Sequence, residues 1–334
     1  MNEKYPLVSV VTPCYNMEGK IHRYLDSLLA QTYKNLEIIL VDDGSVDKTA
    51  EIIRIYIPKL EELGMSLKYI YQENGGAAKA VKTGLDYVTG KYLIWPDADD
   101  ILMADSIELR VEFLENNPEY AWVRNNAYVL DDNNMEDRSR LIVKHKNIKR
   151  ECIYNECIKF KTFYCPGCYM IRWEAFLKVN PQKYIYETYF GQNIQMFLPM
   201  AYHYKCGYID KPLFGYIIYN NSHSRLGGCK TYERAIKYSY GVEETMIATM
   251  NFIGVKQKDI RTVKNDFAVR RLRKAYQVGN KEDKQKEYKS INGIRKLNPV
   301  IIAIRCFGKN KVVDVLDRLY ELFDIFVFQI TNRR

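Results

Sequence analysis

The sequence predicts an α/β protein built on a mainly parallel sheet flanked by helices. Three observations predict it. Short β-branched apolar runs alternate with amphipathic helical stripes through the first hundred residues. Acidic or glycine-bearing turns follow three of these runs, which is where open α/β sheets bind ligands. The chain has 334 residues and 47% hydrophobic content, enough for a sizeable core in one large or two modest domains.

Leu7-Val8-Ser9-Val10-Val11-Thr12 is the first strand, and Ile21, Leu25, Leu28 and Leu29 form the stripe of the helix after it. Leu36 to Val41 is the second strand and runs into Asp42-Asp43-Gly44-Ser45; the next helix puts Ile52, Ile53 and Tyr56 on one face. Leu67 to Tyr71 is a third strand, after which Asn74-Gly75-Gly76 opens a helix through Tyr87. Tyr92 to Trp95 is the fourth strand, followed by Pro96-Asp97-Ala98-Asp99-Asp100 and a helical run over Ile107 to Leu114. Right-handed crossovers bring the ends of these strands to one edge. Thr12-Pro13, Asp42-Asp43, the Gly75-Gly76 turn and Asp97-Ala98-Asp99 are therefore expected in one crevice.

The second half is less regular. Asp131 to Lys149 is polar and aperiodic, which predicts a loop; Cys168 to Arg172 predicts a strand. Ile194 to Tyr204 predicts a helix, and Tyr208-Ile209 and Leu213 to Tyr219 predict short β segments. Trp122 and Trp173 are expected in the core and His203 at the core or its rim. Beyond Lys230 the pattern is helical, with an apolar stripe at Leu316, Leu319, Tyr320, Phe323 and Val327.

The formal net charge of +9 sits at the C-terminal end: from Lys256 onward 20 Lys and Arg face 9 acids. Neither zinc-finger spacing nor an aromatic RNA-binding motif accompanies this excess, so nucleic acid is not an expected partner. Solvated surface and an anionic membrane surface are the readings left. No signal peptide is visible, and no apolar run approaches the ~18 residues of a membrane span. The expectation is a cytoplasmic protein, peripheral at the inner membrane face. Cys165-Pro166-Gly167-Cys168 has redox or zinc-knuckle spacing but no second ligand pair at a recognisable distance, which favours reduced structural thiols.

Asp97, Asp99 and Asp100 carry the chemistry most plainly. Carboxylates crowded at a strand end repel one another, and a hard divalent cation offsets that repulsion while leaving positions for phosphate oxygens. A helix start rich in acids would also accommodate them. No G-x-G-x-x-G follows the first strand, where Pro13-Cys14-Tyr15-Asn16 stands, so a Rossmann dehydrogenase is disfavoured.

Five motifs in order, Pro6 to Asn16, Leu28 to Tyr33, Glu37 to Thr49, Glu73 to Gly76 and Asp97 to Asp100, resemble glycosyltransferase family 2, the inverting nucleotide-sugar transferases of GT-A fold. The resemblance is strong through about Phe113, weaker to about Arg225, and does not cover the tail. It implies a GT-A catalytic domain over 1–229, with a nucleotide half at 1–115 and an acceptor half at 116–229, and a basic helical region at 230–334. It implies a metal-dependent transfer of sugar from a nucleoside diphosphate donor of UDP type to an acceptor hydroxyl, in bacterial cell-surface polysaccharide synthesis. The acceptor would be a glycan or lipid-linked glycan. Thr12, Pro13, Tyr15, Asp42, Asp43, Gly76, Lys79 and Asp97 would bind nucleotide, with Asp42 the acceptor from a uracil N–H. Asp97 and Asp99 would hold Mn²⁺ or Mg²⁺, with His223 as a further ligand, although His223 is displaced a few residues from where relatives carry a histidine.

The chain departs from the family at the catalytic base. Relatives place Glu-Asp at the start of the acceptor-half helix, where this chain has Gln192-Asn193, and an amide accepts no proton near neutral pH. Either Glu187 or another acid serves as base, or Gln192 and Asn193 only position the acceptor. A non-catalytic sugar-nucleotide or glycan-binding scaffold is the alternative reading.

Overall fold

The computed structural model describes residues 5–142, 150–219, 232–278, 282–283 and 286–287. Eight strands form one sheet in the order β3-β2-β1-β4-β7-β6-β8-β5. They are β1 (Val8–Cys14), β2 (Leu36–Asp42), β3 (Ser66–Tyr71), β4 (Tyr92–Ile94), β5 (Ile101–Leu102), β6 (Trp122–Asp131), β7 (Tyr169–Arg172) and β8 (Cys206–Ile218). Strands β1 to β4 are mutually parallel, β7 runs antiparallel between β4 and β6, and β6 and β8 are parallel, with β5 antiparallel at the edge. Every residue of β1 is buried, as its β-branched composition requires of a strand covered on both faces.

The first helices are α1 (Ile21–Leu29), α2 (Thr49–Glu62), α3 (Ala77–Leu85) and α4 (Ser106–Asn116). α1 buries Ile21, Tyr24, Leu25 and Leu28, the face set by its apolar stripe. α3 packs closely on β1, where a Cβ on Gly84 would stand 2.4 Å from a Val11 methyl. Then come α5 (Tyr154–Ile158), α6 (Trp173–Val179) and α7 (Gln192–His203). α7 drives Phe197 into an aromatic core with Trp95, Trp122 and Tyr169, the last at 4.2 Å between ring centres. Trp122 and Trp173 are buried as expected, whereas His203 is exposed at the end of α7.

Two compact units divide the chain: Met1–Ser222 with Glu244–Val255, and His223–Glu243 with Lys256–Arg334. The helix α8 (Tyr232–Phe252) contributes to both, and α9 (Gln257–Val278) belongs to the second. In the first unit, Glu244 and Thr245 brace the segment ahead of α7: Tyr186 donates to Glu244 at 2.6 Å and Thr245 donates to the Phe190 carbonyl at 2.8 Å. The residues around 244–255 thus stand with the sheet unit, within the stretch that the sequence assigns to a separate appendage. In the second unit, buried Arg271 pairs with Glu243 and Glu287 and lies over the Tyr240 ring at 3.9 Å.

Two expectations about β structure need correction. β6 was not anticipated, because Arg124-Asn125-Asn126 interrupts its apolar pattern; the strand accommodates them at a β-bulge opposite β8. The two short segments around 208 and 213–219 are one strand, β8, held together across that same irregularity. The C-P-G-C stretch is a 3₁₀ turn rather than a metal knuckle. Arg110, fully buried, donates to the carbonyls of Gly167 at 2.9 Å and Tyr169 at 3.2 Å, and burial pushes its guanidinium down to about 10. Cys165 and Cys168 are buried thiols, and burial raises the Cys165 thiol well above its usual range. The apolar stripe at 316–327 lies outside the described residues.

Candidate active site

The carboxyl ends of β1, β2, β3, β4, β6 and β8 share one edge of the sheet, and this edge collects most of the motif residues. The sheet changes direction between β4 and β7, and the turn leaving β4 carries Asp97-Ala98-Asp99. A strand-direction switch is where an open sheet leaves room for a ligand.

Asp97 is half-buried and, among the described residues, its carboxylate has one hydrogen-bond donor, the Gln192 amide at 3.3 Å. Loss of solvation and then the charge of Asp99 push Asp97 up to about 7. Asp99 meets Lys20 Nζ at 3.5 Å, and its carbonyl accepts from the Tyr219 hydroxyl at 2.8 Å. Asp100 points inward instead: it is buried, accepts the Ile217 N–H at 2.8 Å, and is raised well above its usual range by burial and by Asp99 and Asp97. So Asp100 ties the turn to β8 while Asp97 and Asp99 stay open.

Two neighbouring carboxylates with few donors among the described residues suit a hard divalent cation, which takes one or two protein carboxylates and completes its shell with phosphate and water. Among the described residues no group of three His, Cys, Asp or Glu side chains is placed to hold a metal alone. His223 lies outside the described residues. Asp97 and Asp99 therefore fit a metal shared with substrate rather than a protein-enclosed one.

The residues expected on the nucleotide side are mostly enclosed by the fold. Asp42 is fully buried, and its two oxygens accept from the Ser45 N–H at 2.8 Å and the Tyr69 hydroxyl at 2.7 Å. Asp43 is buried too, accepting from Gln72 at 2.6 Å and from the backbone of Gly75 at 2.9 Å and Gly76 at 2.7 Å. Burying a carboxylate is costly unless it is bonded, and these turns supply the bonds from nearby. As folded here, Asp42 has no free face for a base. Thr12 bonds Tyr24 at 2.5 Å in the interior, and Pro13 is buried. Tyr15, just past the end of β1, is well exposed, at 45%.

Gly76 has φ +88, and a Cβ there would meet the Tyr189 ring at 2.8 Å. The glycine thus permits both the left-handed turn and the approach of Tyr189, itself 73% exposed. Lys79 folds back over Gly75, its Cδ 2.2 Å from where a Cβ would stand. Glu187 is exposed and bonded to Lys82 at 2.7 Å, which holds its carboxyl below the usual range. That is the opposite of what a general base needs. At the start of α7, Gln192 reaches Asp97, and Asn193 Oδ1 is buried without a hydrogen-bond partner.

Sequence reasoning did not single out Lys20, Tyr219, Tyr189 or Gln195. Gln195 is buried and clamps Tyr186 through both backbone groups, N–H at 2.5 Å and carbonyl at 2.9 Å, fixing the segment ahead of α7. Tyr219 carried a signal, since it follows the last strand directly and precedes His223 in the sequence; Lys20 carried none.

Comparison with known proteins agrees with this geometry. A family model described as "Glycosyl transferase family 2" matches residues 9–179, just over half of the chain. An uncharacterized glycosyltransferase of Rickettsia prowazekii (strain Madrid E) is 41% identical over 109 residues, 33% of this chain and 32% of that protein. Glycosyltransferase GlyA of Streptococcus pneumoniae serotype 4 is 40% identical over 101 residues, 30% of this chain and 14% of that one. The match thus spans a third or less of either relative. Among solved structures, S. aureus TarS 1-349 in complex with UDP-GlcNAc has a TM-score of 0.56 at 17% identity, covering 86% of this chain and 91% of that one. The mannosyltransferase PcManGT from Pyrobaculum calidifontis, in complex with GDP-Man and Mn²⁺, has a TM-score of 0.54 at 16% identity, covering 95% and 80%. These likenesses identify the sheet and its helices as a GT-A fold. With the family model spanning β1 through α6, the chain belongs to glycosyltransferase family 2.

Proposed function

We propose that this protein is a metal-dependent inverting glycosyltransferase that moves a sugar from a UDP-type donor to an acceptor hydroxyl in cell-surface polysaccharide synthesis. The observation that carries the reading is the Asp97–Asp99 pair: two under-bonded carboxylates at the sheet's direction switch, one of them driven up to about 7 by burial and by the other. Asp97 and Asp99 would hold Mn²⁺ or Mg²⁺. When bound, the cation neutralises charge that develops on the departing diphosphate.

The chain's own groups do the rest. Gln192 donates to Asp97 and so orients that carboxylate toward the open side of the turn. Asn193, whose buried Oδ1 has no hydrogen-bond partner among the described residues, stands next to Gln192 and positions the acceptor side of the crevice from within the fold. Tyr15 and Tyr189 offer exposed aromatic faces at the crevice for base or sugar. Asp42 and Asp43 act on the nucleotide indirectly, by holding the turns beside it.

Gln192, with Glu187 engaged by Lys82, favours a second reading: a scaffold that binds sugar nucleotide without turning it over. Incubation with a radiolabelled UDP-sugar, an acceptor extract and Mn²⁺ separates the two. Label transfer, or release of UDP, that stops with excess chelator supports the enzyme. Donor binding without either product supports the scaffold, and undiminished turnover in chelator rejects the metal.

The basic C-terminal segment and its apolar stripe motivate a membrane-surface location near a lipid-linked acceptor. No helix among the described residues is long and apolar enough to cross a membrane.

A further inference from the structure

Lys20 is placed immediately ahead of α1, yet its side chain ends at the outer acid of Asp97-Ala98-Asp99. Its Nζ lies 3.5 Å from Asp99 Oδ2 and 3.8 Å from the centre of the Tyr219 ring. The hydroxyl of the same tyrosine bonds the Asp99 carbonyl at 2.8 Å. Three separate segments therefore meet at Asp99: the loop before α1, the turn after β4 and the residue that follows β8. Among the described residues Lys20 is the cation in contact with the acid pair. Neither partner is sealed in, since the Lys20 and Asp99 side chains keep 31% and 28% of their exposure.

An ammonium and a divalent cation repel strongly when both sit against one carboxylate in a partly dry site. The tyrosine face offers the ammonium a holding surface but no covalent or bidentate grip. We propose that Lys20 is the resident counter-cation of Asp99, docked on Tyr219, and that a divalent cation enters the acid pair by displacing its ammonium. This rests on the acid pair being a divalent-cation site. Lys20 then offsets the repulsion between Asp97 and Asp99 in the metal-free protein and sets how much metal is needed to fill the site. It is a positioning residue, one that acts through the metal.

The test uses the full chain and the metal alone. Free Mn²⁺ is measured by electron paramagnetic resonance during titration of wild type, K20M, K20R and D99N. Lys20→Met should bind Mn²⁺ about two- to fivefold more tightly, the scale expected of a partly exposed ion pair. Lys20→Arg, which keeps the charge, should match wild type, and Asp99→Asn should bind most weakly. Equal or weaker binding by K20M overturns the proposal. If neither wild type nor K20M takes up Mn²⁺, even with UDP present, the metal reading itself fails and the proposal fails with it.

A second measurement reads displacement directly. Brief acetylation followed by peptide mass spectrometry should show Lys20 modified at least about threefold faster in saturating Mg²⁺, relative to Lys34 in the same sample. In Asp99→Asn, Lys20 should react quickly with or without Mg²⁺. A Lys20 rate that metal leaves unchanged in wild type overturns the proposal.

Discussion

Two pairs of aspartates stand on the same sheet edge and do different work. Asp42 and Asp43 close the turn after β2, and five donors reach them at 2.6–2.9 Å: Ser45, Tyr69, Gln72, Gly75 and Gly76. Asp97 and Asp99 close the turn after β4, and among the described residues their carboxylates have one contact each, at 3.3 and 3.5 Å. The first pair is complete within the protein; the second is not. Acidic residues in an α/β crevice are therefore not equivalent by position. The count of internal donors separates a carboxylate that builds a turn from one that awaits a cation.

The comparison is tested most severely by Asp99→Asn. If the second pair holds metal, this variant folds like wild type and loses transfer by more than about a thousandfold, the scale of removing a preorganised electrostatic group. Thermal melting and a transfer assay on the same preparation check it. Activity within tenfold of wild type would erase the distinction between the pairs.

Metal removal and pH sharpen the same point. Asp97 is raised to about 7 in the folded protein against an ordinary 3.8. Between those values the native state binds the extra proton, so metal-free stability falls as pH rises from about 4 to 7 and the penalty persists above that. For a half-buried group the penalty is about 2–4 kcal/mol. Urea unfolding of metal-free wild type and Asp97→Asn at pH 5 and pH 8 should show wild type losing the more stability at pH 8. Parallel pH profiles would mean that Asp97 is not frustrated.

The first pair should answer in the opposite currency, folding rather than activity per folded molecule. Asp43→Ala leaves two backbone N–H groups and the Gln72 amide without their acceptor and should cost about 3 kcal/mol; Asp42→Ala, with two donors lost, about 2 kcal/mol. Urea denaturation measures both. A loss below about 0.5 kcal/mol in Asp42→Ala, together with a tenfold drop in UDP affinity by calorimetry, would return Asp42 to the base pocket.

How far the sequence reached is visible in these same pairs. The strands β1, β2 and β4 were legible as short apolar runs buried on both faces, and the first helices by an apolar stripe of period 3.6. Legibility failed at β6, where Arg124, Asn125 and Asn126 are buried on a bulge and break the alternation. Asp97 and Asp99 were readable as a candidate site, because three acids on a short turn need a reason. The internal donors of Asp42 were not, since an acid that caps a turn and one that receives a base look alike in the sequence. Lys20 was illegible for another cause. Its partner lies 79 residues away, and nothing local distinguishes a lysine that reaches an aspartate from one that faces water.

The smallest expected effect concerns Glu187. The sequence offers it as an acid that could replace the missing base; the structure pairs it with Lys82 on an exposed surface. An exposed pair is worth less than about 1 kcal/mol, so the pairing alone does not bar a role. Its lowered proton affinity and exposure do argue against one, because a useful base has a pKa near the working pH. Glu187→Gln should therefore change stability by less than about 0.5 kcal/mol and keep transfer within about threefold of wild type. The ratio of its rate to that of wild type should also hold steady from pH 6 to 8, since the wild-type Glu187 carboxyl, held below its usual range, is already ionised there. A loss of a hundredfold or more in the maximal rate, with donor affinity unchanged, would make Glu187 the base after all. In that case the Lys82 pair would have to open when the acceptor binds, and Lys82→Met should then raise the rate.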